Sequence, residues 1–193
     1  MSLFRSAKPG HNPDELNVCK TTARKPGNVE YLVDNLWEWK RPDIYPNRRY
    51  SVYASPSIDL ARKFGGSGNG VVYEVQLTGK FAIAQTKIDD ARYHPDCASL
   101  PKLLLKMLGQ SWIDSSLEEK EIGQLWIPCL KKNEVETLFK SAPISHLREA
   151  IWESITFWDD ASTFDDLNHL PHKNGEVFFQ PLDGYHLKSI ESG

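Results

Sequence analysis

Two small hydroxyls, Ser55 and Ser57, lie in the stretch Tyr50-Ser51-Val52-Tyr53-Ala54-Ser55-Pro56-Ser57-Ile58-Asp59-Leu60-Ala61. The pattern predicts a strand over 51–54 that runs directly into a helix ending at Gly65-Gly66. Ser55 is the expected helix cap, and Pro56 suits the first helical position, where no N–H is needed. A strand end meeting a helix start is a good place for hydroxyls to hold a polar ligand, because orphan backbone N–H groups gather there. Other chemistry-bearing residues do not group. Cys19, Cys97 and Cys129 are odd in number and lack CxxC spacing, which points to neither a disulfide framework nor a zinc site. The six histidines have no metal spacing, and His169 and His172 flank Pro171 as loop residues. No metal is therefore expected. The run Gly65-Gly66-Ser67-Gly68-Asn69-Gly70 precedes a strand and not a helix, so it reads as a turn and lacks the context of a phosphate loop.

The elements that must position these hydroxyls follow from periodicity. A first strand is expected over 2–7, with Leu3 and Arg5 on one face and Phe4 and Ser6 on the other. A loop follows over 8–17. Asn28 is a plausible cap for a helix whose stripe is Val29, Leu32, Val33, Leu36 and Trp37, ending before Pro42. Trp37 and Trp39 are expected to divide their roles, one in the core and one lining a cleft or meeting a partner. The run Val71–Leu77 is the clearest strand, and Phe81–Ala84 continues beyond Gly79. The stretch 88–100 reads as irregular, Leu103–Leu108 as a short helix, and Gln124–Pro128 as an edge strand. Ile144, Leu147, Ile151, Ile155 and Trp158 predict one longer amphipathic helix. Asp159, Asp160, Asp165 and Asp166 follow as a solvated acidic stretch. Glu176–Phe179 and Tyr185–Ile190, joined by Pro181-Leu182-Asp183-Gly184, read as a closing hairpin.

This outline is α+β, with residues 86–172 as a mainly helical insertion in a β scaffold. The 193 residues suffice for one domain with a real core, and 40% hydrophobic with 25% charged residues is ordinary for a globular chain. A net charge of −3 gives no support to a nucleic-acid partner or a polybasic membrane contact. No apolar run approaches a transmembrane span, and no apolar signal region follows Met1-Ser2-Leu3-Phe4-Arg5, so a cytoplasmic location is expected. Export by a specialised injection route leaves no such mark.

Three separated pieces line up along the chain. Arg5 lies in Leu3-Phe4-Arg5-Ser6, Ser55-Pro56-Ser57 at the strand-to-helix junction, and Glu176 in Asn174-Gly175-Glu176-Val177-Phe178-Phe179-Gln180-Pro181. This order resembles the ADP-ribosyltransferase-like fold in its arginine–serine–glutamate branch. There an Arg follows an aromatic on the first strand, a Ser-Thr-Ser triplet begins the second element, and a Glu starts a late strand. Val72–Lys80 is similar to the strand such enzymes place between the Ser and Glu elements. The resemblance covers roughly residues 2–84 and 173–191 and implies a split β-sandwich core in a single domain over 1–193. Two departures stand out. Pro56 replaces the Thr of the triplet, and Asn174 stands two before Glu176, where the family has Glu or Gln and selects its acceptor side chain. A rival placement of the carboxylate is Glu121, in Glu119-Lys120-Glu121-Ile122.

The resemblance implies a mono-ADP-ribosyltransferase that uses NAD as substrate and modifies a macromolecular acceptor, probable class protein, within the range of toxins, effectors and phage-encoded modifiers. Such enzymes split the nicotinamide–ribose bond through a cation similar to the oxocarbenium state of glycosidases. Glu176 would stabilise that charge, Arg5 would pair with the diphosphate, and Ser55 would position Glu176 and the ribose. Arg48 or Arg49 is a second diphosphate candidate, Ser57 a further hydroxyl, and Tyr53 or Tyr50 a stacking partner for the nicotinamide ring. NAD hydrolysis with water as acceptor and a non-catalytic interaction module remain alternatives. An RNA 2′-phosphotransferase of related fold is disfavoured, because its basic Arg and His set has no counterpart here. The oligomeric state is not legible.

Overall fold

A computed structural model describes residues 2–65, 70–113, 123–140 and 144–190. Among them the chain is mixed α and β, with five α-helices and two antiparallel sheets. It divides into two compact units. The first comprises residues 1–22, 43–91 and 160–193; the second comprises 23–42 and 92–159. The turn at 66–69 and the rival carboxylate Glu121 lie outside the described residues.

The first unit holds the seven strands found among the described residues. They are β1 (Leu3–Ala7), β2 (Val52–Ala54), β3 (Val71–Leu77), β4 (Phe81–Thr86), β5 (Ala161–Thr163), β6 (Val177–Pro181) and β7 (Tyr185–Ser189). One sheet has the order β1-β3-β7, the other β2-β6-β4-β5. Alternation along the strands sends Leu3, Val75, Leu187, Val52, Ile83, Val177 and Phe179 into one shared core. Strand β6 lies between β2 and β4 and is buried on both faces, so Val177, Phe178 and Phe179 are all apolar.

The closing hairpin does not form. Strands β6 and β7 belong to different sheets, and Leu182–Gly184 carries the chain from one to the other. The β3–β4 connection makes the same crossing beside it. Leu182 N–H donates to the Lys80 carbonyl at 2.9 Å, Thr78 N–H to the Gly184 carbonyl at 3.1 Å, and Lys80 N–H to Asp183 Oδ2 at 2.7 Å. Both crossings turn at a residue with positive φ, Gly79 (63°) and Gly184 (99°), a region that glycine enters without strain.

The helix cap also falls elsewhere. Ser55 stays extended, because Phe4 N–H donates to its carbonyl (2.7 Å) and its own N–H donates to the Phe4 carbonyl (2.8 Å). Helix α1 (Tyr31–Lys40) precedes this junction, and α2 (Ile58–Phe64) follows it with Ser57 as cap, its hydroxyl accepting from Leu60 N–H. Pro56 therefore precedes the cap.

The second unit is helical. Besides α1 it contains α3 (Asp96–Ile113), α4 (Lys132–Lys140) and α5 (Arg148–Ser154). Asn28 does not cap α1; Glu30 precedes it and makes no side-chain cap. Residues Leu32 through Trp39 are all buried, so α1 is enclosed around its circumference rather than along one stripe. Both tryptophans lie in this core. Trp37 stacks on Phe157 and Trp39 on Phe139, at centroid distances of 4.1 and 4.6 Å.

Helix α3 starts at Asp96, well before Leu103, and passes through Pro101 and Gly109. Its buried stripe, Leu100, Leu104 and Leu108, has i, i+4 spacing and reaches back across the proline. The stretch Gln124–Trp126 is a 3-10 turn and not a strand. Asn35 takes its carbonyls in place of a neighbouring strand, donating to Leu125 and Ile127 at 2.8 Å each. The long helix expected over 144–158 is broken into a 3-10 turn (Ser145–Leu147), α5, and a second 3-10 turn (Phe157–Asp160). The break has a cause: Thr156 and Phe157 N–H groups donate to the Asp96 carboxylate at 3.1 and 3.0 Å instead of to a preceding turn. The acidic stretch is solvated as expected: Asp159, Asp165 and Asp166 are exposed, and Asp160 makes a surface ion pair with Lys87 at 2.8 Å.

Candidate functional site

The bridge between Phe4 and Ser55 joins β1 of one sheet to the end of β2 in the other. Arg5, the next residue on β1, donates from Nη1 to the Tyr53 carbonyl at 2.8 Å across that seam. In the β2–β6 register Val52 faces Phe179, Tyr53 faces Phe178 and Ala54 faces Val177. The ladder ends there, one residue before Ser55 on one side and one residue after Glu176 on the other. Ser55 itself bridges to Phe4, and Arg5 contacts the Tyr53 carbonyl, so Arg5, Tyr53, Ser55 and Glu176 all lie on or beside the paired ends of β1, β2 and β6.

Glu176 is held on all sides. Its N–H donates to the Ile88 carbonyl at 2.7 Å, and its carbonyl accepts from Thr86 N–H at 3.0 Å. Its carboxylate accepts from Arg48 Nη1 at 2.9 Å on Oε1 and from Ala91 N–H at 3.3 Å on Oε2. Both partners of the ion pair are nearly enclosed, with 8% of the Arg48 and 11% of the Glu176 side chain accessible. The Arg48 guanidinium carbon lies 5.0 Å from the ring centroids of both Tyr53 and Phe178. The Tyr53 hydroxyl donates to the Arg48 carbonyl at 2.9 Å.

The loop entering Glu176 is fixed by β4. Gln85 is fully buried, and its amide donates to the carbonyls of His172 (2.7 Å) and Gly175 (3.0 Å) while accepting from His172 N–H (2.9 Å). A Cβ on Gly175 would fall onto the Thr86 carbonyl oxygen, so only glycine fits this approach. Asn174 is exposed.

The remaining predicted residues have local partners. Ser55 Oγ accepts from Ser57 N–H at 3.2 Å, and Ser57 Oγ is the α2 cap at 3.5 Å. Arg49 is buried, and its N–H donates to Asn47 Oδ1 at 3.0 Å. The Tyr50 carbonyl accepts from Cys19 Sγ at 3.4 Å. Tyr185, on β7, packs edge-on against Phe179 in the sheet core; burial raises its phenol above the ordinary tyrosine range, against a lowering by the Arg5 charge.

Sequence reasoning passed over Gln85 and Gly175 and offered Arg48 for a different task. A signal existed for Gln85, the first polar residue after the apolar run Phe81-Ala82-Ile83-Ala84. Among the described residues no group of three His, Cys, Asp or Glu side chains could hold a metal ion. Among them also, no helix is long and apolar enough to cross a membrane. No family model matches the chain, and searches of curated proteins and of solved structures returned no match.

Proposed function

We propose that the chain is an NAD-dependent mono-ADP-ribosyltransferase that modifies a protein acceptor, on a split β-sandwich of the ADP-ribosyltransferase type. One observation carries this reading. Arg5, Ser55 and Glu176, far apart in sequence and ordered as in the arginine–serine–glutamate branch, lie on or beside strands that adjoin one another, with Phe4 bridged to Ser55 and the β2–β6 ladder ending one residue from both Ser55 and Glu176.

The residue chemistry fits the reaction. Arg5 pairs with the diphosphate through charge-assisted hydrogen bonds. Breaking the glycosidic bond sends its electron pair to nicotinamide and leaves positive charge on the ribose. The Glu176 carboxylate stabilises that charge and accepts from a ribose hydroxyl, a contribution made chiefly in the transition state. A nucleophilic atom of the acceptor then bonds to the ribose carbon and releases its proton. Asn174, two residues before Glu176, is exposed, which is compatible with a role in selecting the acceptor.

The test is incubation with labelled NAD and a cell lysate, alongside Glu176→Gln. A labelled macromolecular band that the variant fails to produce is the expected result. Nicotinamide release without a labelled band assigns hydrolysis to the same site. A folded Glu176→Ala variant with normal activity overturns the assignment of Glu176, and no NAD turnover by the wild type overturns the enzymatic reading.

A further inference from the structure

We infer that Arg48 is the positioning residue of Glu176, and not a contact for the NAD diphosphate, and that Tyr53 serves to hold Arg48. The inference rests on the transferase reading. The Arg48 guanidinium lies over the neighbouring rings of Tyr53 and Phe178, whose centroids are 6.3 Å apart, at 5.0 Å from each, and donates to Glu176 Oε1 at 2.9 Å. Its main chain is fixed too, because its carbonyl accepts from the Tyr53 hydroxyl (2.9 Å) and from Ser51 N–H (3.3 Å).

Three physical points follow. A buried carboxylate that loses its cation is left desolvated and uncompensated, so a ligand that pulled Arg48 away would have to make good that loss. With Oε1 on Arg48 and Oε2 on Ala91 N–H, both carboxylate oxygens are oriented. A carboxylate has about four lone-pair sites, so this arrangement keeps acceptor capacity for a ribose hydroxyl. The carboxylate is thus already aimed before substrate binds, and no reorganisation is needed when charge develops. A lysine would supply the charge but not the planar group that lies across two neighbouring rings.

Tyr53 changes its role accordingly. Its hydroxyl and its ring both contact Arg48, which makes it a support for the ion pair rather than a platform for nicotinamide.

The experiment measures steady-state nicotinamide release from NAD by the wild type, Arg48→Lys and Arg48→Ala, with circular dichroism to check each fold. A positioning role lowers kcat by about 100-fold in both variants, the usual scale for a displaced catalytic group. It leaves KM for NAD within about threefold, because ground-state binding is untouched. Guanidinium chloride at low concentration then restores part of the Arg48→Ala activity by filling the space over the two rings beside Glu176, which a merely structural residue would not show. If Arg48→Ala is unfolded, the kcat and KM of Arg48→Lys decide. A raised KM with unchanged kcat makes Arg48 a diphosphate contact and overturns the inference, as do unchanged constants. Absence of release by the wild type instead overturns the transferase reading and this inference with it, so the two failures are distinct.

Discussion

Gln85 and His172 form a two-way hydrogen-bonded pair: the His172 N–H donates to Gln85 Oε1 at 2.9 Å, and Gln85 Nε2 donates back to the His172 carbonyl at 2.7 Å. A side-chain amide here does what a neighbouring strand would do, satisfying both polar groups of one residue. Through its third bond, to the Gly175 carbonyl at 3.0 Å, the same amide reaches the residue before Glu176. Glu176 is therefore placed by a fully buried glutamine remote from it in sequence.

Replacing Gln85 by Leu removes all three bonds and leaves enclosed backbone groups unsatisfied. The expected cost is about 3 kcal/mol of stability, at the upper end for an unsatisfied buried group. Denaturant midpoints measure it. On the proposed transferase reading, a variant that stays folded should lose nicotinamide release more than NAD affinity, because the loop into Glu176 loosens while Arg5 stays in place.

Gly175→Ala drives a methyl onto the Thr86 carbonyl and forces the backbone apart. A loss of about 1–3 kcal/mol is expected, as for overpacking elsewhere. Thermal unfolding of the variant checks this. Wild-type stability would show that the loop can shift freely, against the fixed entry argued here.

The helical unit has a comparable centre in Asp96, which is 1% exposed. Its carboxylate accepts from Trp37 Nε1 (2.8 Å), Thr156 Oγ1 (2.7 Å) and the N–H groups of Thr156 and Phe157. Asp96→Ala strands several donors at once and should cost about 3–5 kcal/mol, the scale of a broken buried charged network. Asp96→Asn keeps one acceptor and should cost less. Urea unfolding followed by tryptophan fluorescence separates the two.

Tyr185 sets an alkaline limit. Burial raises its folded-state pKa above the unfolded value near 10, so its contribution is complete below that value. It is lost as pH rises through the folded pKa. Urea midpoints should therefore fall in the alkaline range, less steeply for Tyr185→Phe than for the wild type. Parallel curves would assign the loss to other groups.

Legibility in the sequence varied with the range of the interaction. Strands β1, β3, β4 and β6 were readable because branched and aromatic residues alternate or cluster locally. The ordered trio of Arg5, Ser55 and Glu176 was readable as a pattern. The long helix over 144–158 was misread because Asp96, remote in sequence, captures two of its N–H groups. The closing hairpin was misread because a turn signal states that the chain reverses, not which sheet receives it.

By itself, the sequence determined the α+β class, the strand-forming runs and the residue types available for chemistry, since these depend on side-chain size, branching and local spacing. Only the tertiary structure decided that β6 and β7 part into different sheets, that Ser55 stays extended against Phe4, and that Arg48 meets Glu176. Each of these depends on a backbone or charged group finding its partner across the fold. Burial makes such partners obligatory, but local sequence does not say where they come from.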